Sequence, residues 1–184
     1  MSRNWTGDQI IRRPKDIALA LPLGEVQTGE LRQYTIELPY LPPSKNQWAV
    51  MGVFDRAATK RRWIQRIVRE CEAQDMPKNL PRIGLAAALT FPSRRPRDIQ
   101  NYAVTLWDIV PDALEAKQHG TIKHTRNGEE WREPLFGYGM IPDDSAGRIE
   151  IPANQGIVFK YDERTELPAA KRRRTLIYIG VRVP

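Results

Sequence analysis

Two short segments combine the residue types that bind metal ions and phosphate groups. Residues 94–101 read RRPRDIQN, and residues 139–144 read GMIPDD. Carboxylate oxygens are the ligands that hard divalent cations prefer, and arginine guanidiniums bind phosphate oxygens in pairs. Together the segments suggest metal-dependent chemistry on a nucleic-acid backbone. Each alone has a simpler interpretation, because arginine runs are usually solvated surface and an Asp-Asp pair after proline is most often a turn.

The charge balance indicates a polyanionic partner. The 184 residues include 29 Lys and Arg against 22 Asp and Glu, a net charge of +7. Such an excess favours nucleic acid first and an anionic membrane second. The single cysteine, Cys71, excludes an internal disulfide and a cysteine-based zinc site, so we expect reducing, intracellular conditions. The apolar run at residues 17–23 is short and broken by Pro22, so we expect no signal peptide and no membrane span.

The pattern along the chain predicts an α+β fold with a mixed or antiparallel sheet packed against two main helices. We expect an N-terminal extension at residues 1–30 and one domain at residues 31–184, with an inserted loop or hairpin at 115–138. Alternating apolar residues predict strands at 34–38, 83–91, 156–161 and 174–183. Helices are predicted at 56–74, capped by Asp55, and at 99–114, where Pro111 should kink or divide the helix near Trp107. The proline-rich residues 41–46 should form an extended or turning connection.

Both predicted helices carry polar residues at helical spacing. On the first, one stripe is apolar and a second is basic; the apolar stripe comprises Ile64, Ile67, Val68 and Cys71, and the basic stripe Arg62, Arg66 and Arg69. The basic stripe is either a DNA contact or a solvated face. On the second helix, steps of four, three and four residues place polar groups on one face: Asn101, Thr105, Asp108 and Asp112. That face either points at one site or forms ion pairs with arginines.

Aromatic and histidine residues divide into predicted core and predicted surface. Trp48 and Trp131 fall in predicted loops and could stack on unpaired bases, whereas Trp63 and Trp107 should pack in the core. We expect the two histidines of the 115–138 segment to be solvent-exposed; zinc ligation is the less favoured interpretation. These are His119 and His124.

The order of these motifs resembles the RusA family of Holliday-junction resolvases. Residues 38–46, LPYLPPSKN, are similar to the family's Leu-Pro and Pro-Pro-Ser-x-Asn opening, and RDIQN at 97–101 is similar to its Arg-Asp-x-Asp-Asn. GMIPDD at 139–144 looks like the family's glycine followed by an Asp pair. The resemblance covers residues 34–184. It implies a RusA-like nuclease domain, a homodimer, symmetric cutting of four-way DNA junctions, and an aspartate-bound Mg²⁺ or Mn²⁺. The implied location is the cytoplasm of a bacterial or phage-infected cell.

The family's residues carry over only in part. The implied catalytic residues are Asp98, Asp144, Asp143 and Asp108, and the implied metal ligands are Asp98, Asp144, Gln100 and Asp108. The predicted DNA contacts are Arg94, Arg95, Arg97, Arg62, Arg66, Arg69, Lys45, Asn46 and Asn101. Gln100 stands where the family has a second acid, and the expected helix lysine falls on Val104. Because Gln100 removes one negative charge from the metal site, a branched-DNA-binding protein that has lost catalysis is the alternative.

Overall fold

A computed structural model describes residues 29–95, 97–145, 147–151, 156–162 and 164–183. The chain divides into two units. The sheet unit comprises Met1–Leu41, Gly84–Ile99 and Glu150–Pro184, and the helical unit comprises Pro42–Ile83 and Gln100–Ile149. All but the last two residues of the predicted extension at 1–30 lie outside the described residues.

The described elements alternate between strands and helices. In chain order they are β1 (Glu30–Leu38), α1 (Lys45–Val50), α2 (Val53–Ala73), β2 (Ile83–Phe91), α3 (Gln100–Leu114), β3 (Gln118–Arg126), β4 (Glu129–Phe136), β5 (Ile149–Glu150), β6 (Ile157–Tyr161), a 3₁₀ turn (Ala169–Arg172) and β7 (Arg174–Val183). The four predicted strands and two predicted long helices are all present. Over the described ranges the fold is α+β with a mixed sheet and three α-helices, and no helix has the length and apolar character needed to cross a membrane.

The sheet unit is built on the pairing of β1 with β7 and of β2 with β6. β1 pairs antiparallel with β7 from Thr175 to Val183, whereas β2 and β6 are parallel. The strand order is β1-β7-β2-β5, with β6 also paired to β2. Every residue of β2 is buried, which suits its near-continuous apolar sequence. Of the two predicted sheet types, mixed or antiparallel, the structure therefore has the mixed one.

Helix α2 begins three residues earlier than the sequence predicts. Gly52, in an extended conformation, precedes the first helical residue Val53, and Asp55 lies inside the first turn. In the first turn, its carboxylate interacts favourably with the positive end of the helix dipole but does not cap the helix. The prediction of Asp55 as the cap is therefore wrong. The buried face comprises Trp63, Ile64, Ile67 and Cys71; the predicted member Val68 is only partly buried.

Helix α1 replaces part of the predicted connection at 41–46. The Ser44 hydroxyl accepts a hydrogen bond from the Gln47 amide, and the Gln47 side chain accepts one from the Ser44 amide. This reciprocal capping starts a helix at Lys45, with only Ser44 between it and the two prolines. Trp48 is therefore helical and half-buried, and its predicted place in a loop is wrong.

Helix α3 runs without interruption through Pro111 to Leu114. Proline has no backbone amide hydrogen, so the helix loses one hydrogen bond at Pro111. The helix ends only three residues later, so only one turn of the helix follows the proline. The Glu115 amide still donates to the Pro111 carbonyl at 2.9 Å. Of the two predicted effects of Pro111, the division of the helix near Trp107 is therefore wrong, and the kink stays a prediction.

The 115–138 segment contains the antiparallel hairpin of β3 and β4, as one of the two predicted alternatives stated. In its register Lys123 lies opposite Arg132, and His124 lies opposite Trp131. Successive side chains of a strand point to opposite faces. Lys123 and Arg132 therefore share one face of the hairpin, and Trp131 points from the other.

Candidate functional site

The residues predicted for the metal and DNA sites are divided between the two units. Asp98 and the arginines before it belong to the sheet unit, and the other predicted residues belong to the helical unit. Within the sheet unit, the guanidinium of Arg97 donates to the carbonyls of Ser93 and Arg95, each at 2.8 Å, and lies 4.1 Å above the Phe91 ring. The Arg97 side chain therefore stabilises the loop that contains Ser93 and Arg95. Arg94, Arg95 and Asp98 are exposed, and their roles stay predictions.

The Asp143-Asp144 pair separates into two different environments. Asp143 Oδ1 accepts from the Ser145 amide at 2.9 Å and from Arg148 Nε at 3.0 Å. Hydrogen bonding from the Ser145 side chain, then from its amide, and the charge of Arg148 hold the pKa of Asp143 below its usual value. Asp143 thus serves the turn that precedes β5. Asp144 is exposed, and over the described residues its carboxylate has no hydrogen bond or ion pair. Asp144 is therefore the better candidate ligand of the two.

Three side chains of the helical unit converge on one point. Asp112, Glu115 and His119 each place one potential ligand atom within 4.8 Å of the others, so this group could hold a metal ion. His119 Nδ1 lies 3.5 Å from Asp112 Oδ2, and His119 Nε2 lies 3.4 Å from Glu115 Oε1. We call these three residues the metal group.

The metal group is assembled where three chain segments meet. Asp112 is in the last turn of α3, Glu115 follows the end of that helix, and His119 is on β3. Glu115 forms a parallel bridge with Ile141, which brings the segment before the Asp pair alongside the helix end. Gly137 lies so close that a Cβ atom there would be 2.2 Å from the Glu115 carbonyl oxygen. Only glycine permits this approach.

Two atoms of the metal group are buried without a hydrogen-bond partner. The side chain of Glu115 is 2% exposed and that of His119 is 8% exposed. Glu115 Oε1 and His119 Nε2 form no hydrogen bond in the described structure. Burial raises the pKa of Glu115; the nearby charge of Lys117 lowers it, and the charges of Asp144 and Asp112 raise it further. Buried polar atoms normally have a partner, and a bound cation would satisfy both of these.

Lys60 of α2 supplies a fixed positive charge beside the metal group. Its ammonium lies 2.6 Å from Asp112 Oδ2 and 3.2 Å from Asp108 Oδ2. Burial lowers the pKa of Lys60, but hydrogen bonding and charge from Asp112 and then Asp108 outweigh it, and the net pKa is raised. The predicted ion-pair partner was an arginine, and the structure has a lysine instead. Lys60 therefore places an ammonium beside these aspartates, although Val104 occupies the position where the resemblance leads us to expect a lysine.

Sequence reasoning missed part of the metal group. The sequence pattern places Asp112 on a polar helix face, gives no role to Glu115 and predicts that His119 is exposed. The exposure prediction is wrong for His119, because the start of β3 packs against the end of α3. For His124, which stacks on Trp131 at 5.1 Å, the side chain is 35% exposed. The spacing of three and four residues between Asp112, Glu115 and His119 was the available signal.

The predicted DNA contacts of the helical unit lie mostly on its surface. Arg62, Arg66 and Arg69 of α2 are exposed, as are Lys45 and Asn46 of α1. Arg66 is paired with Glu70 at 2.7 Å, so its charge is partly neutralised. Arg62 and Arg69 have no hydrogen bond or ion pair over the described residues. Asn101 is partly buried, and Gln100 is exposed at the first position of α3.

No protein-family model matches this chain, and no curated protein sequence matches it significantly.

Proposed function

We propose that this protein is a metal-dependent endonuclease that cuts branched DNA. The observation that carries the proposal is the buried metal group at the end of α3, next to the arginine-rich helix α2. A polyanionic backbone would be attracted by the arginines, and phosphodiester hydrolysis is commonly assisted by a divalent ion. The choice of four-way junctions as substrate rests on the sequence resemblance to the RusA family.

The donor set favours Mn²⁺ over Mg²⁺. Asp112 and Glu115 offer carboxylate oxygens, which suit either ion, and His119 offers an imidazole nitrogen, which suits first-row transition metals better than Mg²⁺. Asp144 is close enough to Glu115 to raise its pKa and could add a further carboxylate. Glu115 Oε1 and His119 Nε2, which form no hydrogen bond over the described residues, fit such an ion, although the Lys117 ammonium lies 3.7 Å from Glu115 Oε1.

Each protein group then has a defined task. A bound divalent ion would polarise the phosphate and acidify a water molecule. Lys60 holds Asp108 and Asp112 in place through its ion pairs. Arg62 and Arg69, which have no carboxylate partner over the described residues, would neutralise neighbouring phosphates. Asp98, Arg94 and Arg95 of the sheet unit retain the roles that the resemblance implies. A homodimer is also proposed, because symmetric nicking of a two-fold junction requires two sites.

The test is cleavage of a labelled four-way junction by the purified protein in Mn²⁺, Mg²⁺ or EDTA. We expect paired symmetric nicks that are faster in Mn²⁺ and absent in EDTA. Glu115→Gln and His119→Gln should each slow cleavage roughly 100-fold or more, since even outer-shell partners of a metal contribute 10- to 100-fold. His124→Gln is the matched control, because it makes the same change on the same hairpin outside the metal group. Asp98→Asn tests the implied contribution of the sheet unit.

Cleavage is not the only readout of the metal group. Isothermal titration with Mn²⁺ should show one strong site in the wild type and loss of that site in Glu115→Gln. Thermal melts without metal establish that each variant is folded. If no divalent ion supports cleavage, the nuclease proposal is refuted, and if none binds at the metal group, the metal site is refuted as well.

A second candidate function is branched-DNA binding without strand scission. Lys60 favours it, because its ammonium already pairs with Asp112 of the metal group and with Asp108, a metal ligand that the resemblance implies. This alternative requires tight, salt-dependent junction binding in a gel shift with intact strands in every metal. Restoring the family's acid with Gln100→Asp separates the two functions. A large gain in cleavage identifies an impaired enzyme, and no change in an active wild type shows that another group fills the role.

A further inference from the structure

A cationic cleft opens between helix α2 and the β3–β4 hairpin of the helical unit. Its volume is about 520 Å³. The helix contributes Phe54, Ala58, Arg61, Arg62 and Gln65, and the hairpin contributes Thr121, Ile122, Lys123 and Arg132. The cleft therefore has four cationic side chains, an exposed aromatic ring and no carboxylate among these lining residues.

The cationic groups of the cleft are largely available to a ligand. Arg61, Arg62 and Arg132 have no hydrogen bond or ion pair over the part of the chain that the structure describes. Lys123 is the exception, because its ammonium contacts the Glu130 carboxylate. Three unpaired guanidiniums facing one space repel each other, and an anion bound between them would relieve that repulsion.

The apolar part of the cleft favours a nucleotide strand over a simple anion as its ligand. Phe54 is 89% exposed, although it is a large apolar side chain in the first turn of a helix. An aromatic ring among arginines is the combination that binds single-stranded nucleic acid, with bases on the ring and phosphates on the guanidiniums. The volume is within the range of about 300–1,000 Å³ typical of small-ligand sites, so it would accept one or two nucleotides and not a duplex.

The cleft begins where the metal group ends. Lys60, which contacts Asp112, is followed directly by Arg61, which lines the cleft. On β3, His119 of the metal group precedes Thr121 of the cleft by only two residues, within the stretch between Gln118 and Thr121 where the strand register is irregular. A strand lying in the cleft would therefore bring its backbone towards the metal group.

We propose that this cleft binds a single, unpaired DNA strand, with phosphates on Arg61, Arg62 and Arg132 and a base stacked on Phe54. The inference rests on the proposed function only in naming DNA as the nucleic acid. It identifies the unpaired strand at a branch point as the feature that the protein binds. The aromatic residue in contact with that strand is Phe54, whereas Trp131 points from the other face of the hairpin.

The test measures binding of a fluorescent 12-nucleotide oligothymidine by anisotropy in EDTA, so that cleavage plays no part. Arg132→Gln and Arg126→Gln form a matched pair, since both arginines are exposed on the hairpin and have no partner over the described residues, but only Arg132 lines the cleft. We expect Arg132→Gln to weaken binding about tenfold and to reduce the salt slope by about 0.7, the value for one phosphate contact in a single strand. Arg126→Gln should change affinity less than twofold.

Phe54 provides a second, uncharged readout. Phe54→Ala should weaken binding roughly 5- to 150-fold, the usual range for loss of one base-stacking side chain, with no change in salt slope. Val50→Ala, at another exposed apolar residue outside the cleft, is the control. Parallel titrations with a blunt duplex and with oligouridine compare strand state and sugar. Tighter binding of duplex or RNA than of the DNA strand would overturn the assignment.

The outcomes separate this inference from the proposed function. Equal losses in Arg132→Gln and Arg126→Gln, or no loss in Phe54→Ala, would show that only general surface charge binds the strand, and the cleft proposal would fall even if junctions are cut. Strand binding that depends on Arg132 and Phe54, without junction cleavage in any metal, would keep the cleft and refute the nuclease.

Discussion

Gly137 provides the sharpest test of how the metal group is built. Its amide donates to the Lys117 carbonyl at 2.9 Å, and the next amide, of Tyr138, donates to the Ala113 carbonyl at 2.8 Å. These bonds hold the chain against the end of α3. A Cβ at position 137 would be 2.2 Å from the Glu115 carbonyl oxygen and 2.6 Å from the Asp112 carbonyl oxygen. Gly137→Ala therefore adds one methyl group against the backbone of two metal-group residues.

The expected cost follows from these distances. An ordinary contact requires about 3.4 Å, so the two segments must separate by roughly 1 Å. Over-packing usually costs about 1–3 kcal/mol, and the upper end applies because backbone oxygens have no alternative rotamer. We therefore expect Gly137→Ala to lower the free energy of unfolding by about 3 kcal/mol. Since Glu115 and Asp112 must move, Mn²⁺ affinity should also fall about tenfold or more.

Urea unfolding in EDTA measures the first effect, and Mn²⁺ titration of the folded variant measures the second. Gly52→Ala is the control, because its added Cβ would have only Asp55 Oδ2 nearby, at 3.6 Å. That change should cost about 1 kcal/mol or less, the scale of replacing a favourable helix cap by alanine. If Gly137→Ala unfolds within 1 kcal/mol of the wild type, the close approach at the helix end is refuted.

Three further predictions concern other buried or paired groups. Burial raises the pKa of the Cys71 thiol to about 12, so a thiol reagent at pH 8 should react only after urea unfolding, and rapid reaction of the native protein would contradict its burial. The hydrogen bond from Arg164 lowers the pKa of Asp162 to about 2, below its unfolded value of about 3.9, so this carboxylate stabilises the protein above pH 4 and loses that effect as pH falls to 2. The difference in Tm between wild type and Asp162→Asn should therefore be largest at pH 5 and above and fall to a small fraction of that value near pH 2; a difference independent of pH would exclude the ion pair. Thr105→Val removes a buried hydroxyl that donates to the Pro43 carbonyl at 2.5 Å, and we expect a loss of about 1–3 kcal/mol in urea unfolding, whereas a neutral effect would deny the bond any role.

Local pattern was sufficient for most elements of the fold. Alternation predicted β1 and β7, and the apolar spacing of α2 predicted its buried side. The predicted helix starts were wrong where more than one nearby residue could begin the helix. Asp55 has the residue type of a cap, but Gly52 already adopts the extended conformation that starts the helix, and Ser44 with Gln47 starts α1 directly after two prolines. Both choices depend on backbone geometry that a propensity scale does not contain.

For the candidate site too, the sequence predicts the local features but not the contacts between distant segments. The sequence by itself determined the net positive charge, the arginine stripe of α2 and the presence of many carboxylates after residue 97. It could not determine which carboxylates meet. Only the tertiary structure buries Glu115, brings His119 of β3 against the end of α3, and directs Asp143 into a turn with Arg148. The reason is physical: the sequence identifies an acidic residue but does not show whether water or a neighbouring imidazole surrounds its carboxylate in the folded protein. The distinction arises only when distant segments pack and remove the water.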